Sequence, residues 1–211
     1  TYSAAVRGST SNTSYGWFGG GNPSPLVSNI DRLDFSNDTA TASPRGPLSS
    51  AKTSIGSAGN ASYGYFAGGA APSAISTVDR IDYSSDTGTT PTKGTLSSAR
   101  ESLVAFGNSS YGYFGGDYPG SITTIDRIDY SNDTATASVK GPLDEGKRNS
   151  GGVASASGYG YAMGGQPSSS PSTSSISRVE FANDTATASP KGNLYINTTG
   201  CGAVSAGDNG L

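Results

Sequence analysis

One phrase of six or seven residues returns along this chain at a fixed interval. Tyr15-Gly16-Trp17-Phe18-Gly19-Gly20 recurs as Tyr63-Gly64-Tyr65-Phe66-Ala67-Gly68-Gly69 and as Tyr111-Gly112-Tyr113-Phe114-Gly115-Gly116. It recurs once more as Tyr159-Gly160-Tyr161-Ala162-Met163-Gly164-Gly165, each copy starting 48 residues after the last. Self-similarity at such a period marks a repeat architecture, in which each unit is one supersecondary module stacked on its neighbours.

Three more blocks keep the same rhythm. Ile30-Asp31-Arg32-Leu33-Asp34-Phe35, Val78-Asp79-Arg80-Ile81-Asp82-Tyr83, Ile125-Asp126-Arg127-Ile128-Asp129-Tyr130 and Ile176-Ser177-Arg178-Val179-Glu180-Phe181 form the second. Asn-Asp-Thr-Ala-Thr-Ala-Ser at 37–43, 132–138 and 183–189, with a diverged copy near 85–90, forms the third. A small, apolar block appears around Ala5, Ile55, Val104, Val153 and Val204. Each block is short, carries β-branched or aromatic residues and ends in turn formers, so each reads as a strand. None carries an apolar stripe at helical spacing.

Four strands in about 48 residues is the layout of a β-propeller blade. We label them A (small residues), B (the Tyr-Gly phrase), C (the Asp-Arg phrase) and D (Thr-Ala-Thr-Ala-Ser). Small side chains suit strand A to the crowded innermost place. Asn and Asp between C and D, and Gly107-Asn108-Ser109-Ser110 between A and B, predict tight turns through residues that tolerate positive φ. The expected units are 1–48, 49–96, 97–143 and 144–195, with 196–211 opening a fifth.

The order of the blocks resembles a kelch repeat. Arg100 ahead of Leu103-Val104-Ala105, then Tyr113 to Gly116, then Ile125 to Tyr130, match its first three strands in sequence. The fourth departs, with Thr where kelch repeats usually carry Trp. The resemblance implies an all-β, kelch-like propeller of four-stranded antiparallel blades. The wording of the repeats is also similar to that in structural or tail-associated proteins of tailed phages, which implies a virion or extracellular setting.

Composition narrows the function. The apolar fraction, with the 31 Gly counted and the 12 Tyr left out, is about 42%, close to the ~45–50% of folded domains. The net charge of −3, from 13 basic and 16 acidic residues, argues against a nucleic-acid partner, which needs a basic face. No stretch reaches the roughly 20 apolar residues of a membrane span, so no membrane insertion is expected. Histidine is absent, which removes Ser-His and Cys-His catalysis and histidine-ligated metals. The single Cys201 excludes an intrachain disulfide. No cofactor is expected.

The remaining motifs read as structure first. The Gly-Gly pairs lack the helix and Lys-Ser/Thr of a phosphate loop and suit a bend at a blade corner. In the Asp-Arg pairs the two side chains point to opposite faces of a strand, so Arg of one blade is expected to meet Asp of the next. Asn12, Asn37, Asn60, Asn108, Asn132, Asn183 and Asn197 each open an Asn-x-Ser/Thr sequon, six of them in the turns. The Asp-rich turns lack the glycine and distal Glu of a dedicated calcium loop.

The units differ most in the B–C and D–A connections, which share one end of an antiparallel blade. Variable loops on a regular scaffold are where recognition is placed. The expected ligand-binding residues are Asp117, Tyr118, Lys147, Arg148 and Gln166, with no catalytic or metal-ligating set. The expected function is a non-enzymatic structural and binding module, its partners other structural subunits, further repeats of the same chain, and a host surface glycan or receptor. The alternative is a glycan-active hydrolase, for which Glu101, Asp117, Asp144 and Glu145 are the carboxylates that break the repeat. An intracellular kelch adaptor would need a companion domain. Strand A at Tyr2–Val6 and again at Cys201–Ser205 would give four units and a fifth innermost strand. A neighbouring subunit or further repeats are then expected to complete the array.

Overall fold

A computed structural model describes residues 7–200, apart from 24 and 119–121. The chain is all-β. Four four-stranded antiparallel sheets follow one another along it, each in simple sequential order. Blade 1 comprises β1 (Gly8–Ser11), β2 (Tyr15–Gly19), β3 (Ile30–Asp34) and β4 (Ser43–Arg45). Blade 2 comprises β5 (Gly56–Gly59), β6 (Tyr63–Ala67), β7 (Ile75–Asp82) and β8 (Thr92–Arg100). Blade 3 comprises β9 (Val104–Gly107), β10 (Tyr111–Gly115), β11 (Ile125–Asp129) and β12 (Ser138–Lys140). Blade 4 comprises β13 (Gly151–Ser155), β14 (Tyr159–Met163), β15 (Ile176–Glu180) and β16 (Ser189–Pro190). Among the described residues no helix is long and apolar enough to cross a membrane.

The first strands β1, β5, β9 and β13 neighbour one another in turn, so strand A is innermost, where its small residues were expected to lie. The strands expected at Tyr2–Val6 and Cys201–Ser205 lie outside the described residues. Within the other blades strand A starts just past a residue in left-handed conformation, Ser54 (φ 58°), Ser102 (φ 59°) or Asn149 (φ 52°). These residues form a hydrogen-bonded chain across the blades. Ser102 N donates to Ser54 O at 2.9 Å, Asn149 N to Ser102 O at 3.0 Å, and Gly200 N to Asn149 O at 3.0 Å. Each position costs about 1–2 kcal/mol for a residue with a Cβ, and the ladder offsets it.

The turns use a different device from the one expected. Among the described residues no Asn or Asp of the A–B or C–D turns has positive φ. Instead the side chain shapes the turn. Asn12, Asn60 and Asn108 accept from the backbone N–H groups two and three residues on, at 2.9–3.0 Å. Asp34, Asp82 and Asp129 accept from the backbone and hydroxyl of Ser36, Ser84 and Ser131. An Asx-type acceptor satisfies the turn's donors without a left-handed backbone. The Ser hydroxyl first, and then its backbone N–H, hold all three Asp carboxyls below the usual carboxylate range.

The apolar core is divided into three clusters, each filling the seam between two successive blades. Trp17 stacks on Tyr83 (4.1 Å), Tyr65 on Tyr130 (4.7 Å) and Tyr113 on Phe181 (5.0 Å), each pair spanning a seam. One carboxylate closes each seam. Asp86 of blade 2 accepts from Trp17 Nε1 at 2.9 Å and Arg32 at 3.0 Å, with Arg45 at 3.4 Å. Asp133 receives Tyr65, Arg80 and Lys93 in the same way, and Asp184 receives Tyr113, Arg127 and Lys140. Burial first, and then the adjacent carboxylate, raise the phenols of Tyr65 and Tyr113, so they remain donors. Arg of one blade does meet Asp of the next, but the Asp comes from the C–D turn. The strand Asp lies on the other face and has another partner.

Backbone seals the same seams. The N–H groups of Gly46, Gly94 and Gly141 donate to the carbonyls of Asp86, Asp133 and Asp184 at 2.8–2.9 Å. A Cβ on any of these glycines would sit 1.8–1.9 Å from a carbonyl oxygen of the next blade. Glycine is required there by the close approach of two backbones.

Candidate functional site

Blades 2, 3 and 4 end at the B–C/D–A rim in a pair of facing positions. In blade 2 these are Thr53 and Ala70, and in blade 4 Arg148 and Gln166, each joined by an isolated antiparallel bridge. The corresponding residues of blade 3 are Glu101 and Tyr118. There Asp117 stands where the other blades have Gly21, Gly69 or Gly165, all at positive φ. Its Oδ1 accepts from Glu101 N at 3.0 Å and Tyr118 N at 2.8 Å. A side chain has taken over what a backbone bridge does next door.

The two rim pairs meet. The Arg148 guanidinium lies 4.3 Å from the centroid of the Tyr118 ring. The same guanidinium donates to Gln166 Oε1 through Nε at 3.1 Å and through a terminal nitrogen at 2.9 Å. Tyr118 keeps 57% of its surface exposed. Burial first, and then the neighbouring Asp117, raise the Glu101 carboxyl, against the pull of Arg148. Asp117, Tyr118, Arg148 and Gln166 are thus brought together, and Glu101 joins them. The rim offers an aromatic face, a held guanidinium, an amide and two carboxyls.

Lys147 lies apart from that surface. It is fully buried, and its amine donates to Ser175 Oγ at 2.9 Å and Ser177 Oγ at 3.1 Å, with Glu145 at 3.2 Å. It belongs to a set of cations tethered inside blades 2, 3 and 4. Lys52 meets Asp79 at 3.2 Å with both side chains fully buried. Arg100 pairs with buried Asp126 and also donates to Thr124 O at 2.9 Å. In blade 4 the strand Asp has become Ser177, and Glu145 supplies the missing charge, bound to Lys147 and Ser175. Burial lowers the Lys52 amine, and Asp79 opposes that shift. The signal for Lys147 was present in its spacing: it precedes strand A as Lys52 and Arg100 do, and that position points inward.

Glu145 is committed to this internal pairing, while Asp144 is exposed. A second concavity of about 350 Å³ lies along the innermost strands, lined by Ser9, Ser57, Ala105, Gly152 and their neighbours. Among the described residues no ionisable side chain lines it. Among the described residues no three His, Cys, Asp or Glu side chains converge as a metal centre would require. No protein family and no curated protein matches the chain.

Proposed function

We propose that the chain is a non-enzymatic structural and binding module of an extracellular or virion surface, with the rim of blades 3 and 4 as its attachment face. The observation that carries this reading is the contrast among rim pairs. Thr53/Ala70, Glu101/Tyr118 and Arg148/Gln166 share one scaffold position, yet only the last two carry large polar and aromatic groups. An exposed tyrosine ring beside a fixed guanidinium and an amide suits a sugar, which offers an apolar face and a fringe of hydroxyls. The kelch-like order of the strands, and the phage-tail wording of the repeats, support a host glycan or receptor as the ligand.

The test is a glycan array followed by titration of any hit. Tyr118→Ala, Arg148→Ala and Gln166→Ala should each weaken binding roughly tenfold or more, with the circular dichroism spectrum unchanged. Unchanged attachment in all three would refute the face. Lys147→Met should cost stability instead, because its amine is internal.

One observation favours a second reading. Glu101 has a raised pKa and Asp117 as neighbour, and glycoside hydrolysis uses two carboxyls of which one holds its proton. Turnover of a glycan panel that vanishes in Glu101→Gln would replace the binding reading with a hydrolase.

A further inference from the structure

The two outer faces of the array carry the two halves of the seam that is made three times inside it. On blade 4, Tyr161, Arg178, Lys191 and Gly192 occupy the positions of Tyr113, Arg127, Lys140 and Gly141. Arg178 is already posed, 4.3 Å over the Tyr159 ring, as Arg32, Arg80 and Arg127 are posed over Tyr15, Tyr63 and Tyr111 at 4.1–4.2 Å. Among the described residues neither Arg178 nor Lys191 has a carboxylate within ion-pair distance. A Cβ on Gly192 would meet nothing within 4 Å, where its three counterparts abut the next blade. The socket is assembled and its carboxylate is missing.

Blade 1 presents the matching half. Asp38 holds the position of Asp86, Asp133 and Asp184, and it is exposed where they are buried. Phe35 corresponds to the seam-stacking Tyr83, Tyr130 and Phe181. It is 47% exposed, against 9% for each of the two tyrosines. Phe18 corresponds to Phe66 and Phe114, both fully buried, and is 37% exposed. Two half-exposed rings beside a turn carboxylate thus stand where blades 2 and 3 turn a buried tyrosine, phenylalanine and aspartate to their predecessors.

We propose that blade 4 of one copy docks on blade 1 of a second copy, head to tail, by repeating the inner seam. Asp38 of the arriving copy accepts from Tyr161, Arg178 and Lys191, Phe35 stacks on Tyr161, and Gly192 N–H donates to the Asp38 carbonyl. Two cations on one face and a carboxylate on the other set the polarity. A seam of unlike halves is heterologous, so association continues past a dimer into a ring or a filament. This inference is independent of what the rim binds.

Sedimentation velocity of the full chain over a wide concentration range tests it, with Asp38→Arg and Arg178→Asp as variants. Both positions lie outside the inner seams, and circular dichroism reports their folding. The unaltered chain should associate beyond a dimer as concentration rises. Each variant alone should be monomeric, with affinity down by roughly 30-fold or more, as loss of a desolvated charge pair produces. The equimolar mixture is the decisive sample. It restores the native pairing, Asp38 of the Arg178→Asp chain with Arg178 of the Asp38→Arg chain, and sets the two substituted positions against each other as a charge-reversed pair. It should therefore associate again, at least to dimers. A monomeric unaltered chain at every concentration, association that neither variant weakens, or a mixture that forms no dimer would each overturn the proposal. So would a monomer that both variants destabilise, since the two faces would then be meeting within one molecule.

Discussion

Individual charges in this chain are spent in two ways, and exposure separates them. Lys52–Asp79 and Arg100–Asp126 are closed off from solvent, whereas Arg7–Asp31, at 2.6 Å, keeps about a third of each side chain exposed (37% and 32%). Arg100→Met leaves Asp126 buried and unpaired, and should cost about 3–5 kcal/mol in urea unfolding. Arg7→Met should cost under about 1 kcal/mol, because solvent screens the pair. The turn carboxylates Asp34, Asp82 and Asp129 add a pH dependence. Their folded pKa values lie below the unfolded value of about 3.9, so their stabilisation is complete above that pH and is lost as pH falls through the folded values. Unfolding free energy should therefore drop below about pH 4, and Ser84→Ala with Ser131→Ala should shallow that drop. An unchanged acid slope in the double variant would assign it to other groups.

Between elements, stability sits in the seams, because the three apolar clusters join neighbouring blades. Asp133 ties three donors of blade 2 to blade 3; Tyr65 is fully buried, but the two cations are partly solvated, Arg80 at 22% and Lys93 at 16% exposure. Asp133→Ala should then cost about 2–3 kcal/mol, less than a fully buried pair would lose. The same substitution at exposed Asp38, measured at a dilution where copies stay apart, should change stability by no more than about 0.5 kcal/mol. Equal effects at the two positions would show that the carboxylate stabilises its own turn rather than the seam.

Taken whole, the molecule is an open array in which each blade contacts mainly its neighbours, so its stability is nearly one-dimensional. Among the described residues, the inner blades 2 and 3 have both faces covered, and blades 1 and 4 have one each. Backbone hydrogen exchange of the dilute chain should be slowest in β6 and β10, and faster in β2 and β14. Uniform protection across the four aromatic strands would mean that the array opens as one unit.

Period, strands B and C and the inner place of strand A were legible in the residues, because they rest on local properties: alternation, turn formers and side-chain size. Strand D was misplaced, since the Thr-Ala-Thr-Ala run forms the turn and β4, β12 and β16 begin only at its closing Ser. The rim candidates Asp117, Tyr118, Arg148 and Gln166 were visible as breaks in the repeat, since a departure from a repeated scaffold shows up without any coordinates. The residues that misled did so for a shared reason. Lys147 reads as a surface lysine until β15 brings Ser177 beneath it. The Asp-Arg phrase does not reveal that its Asp turns inward to a cation while its Arg reaches a carboxylate about 55 residues further on. For Lys147 and the strand Asp the partner lies across the same blade, and for the Arg it depends on the angle at which one blade is laid on the next. Nothing local encodes that angle; it follows from glycines that let backbones touch and rings that stack, so only the tertiary structure could assign the partners.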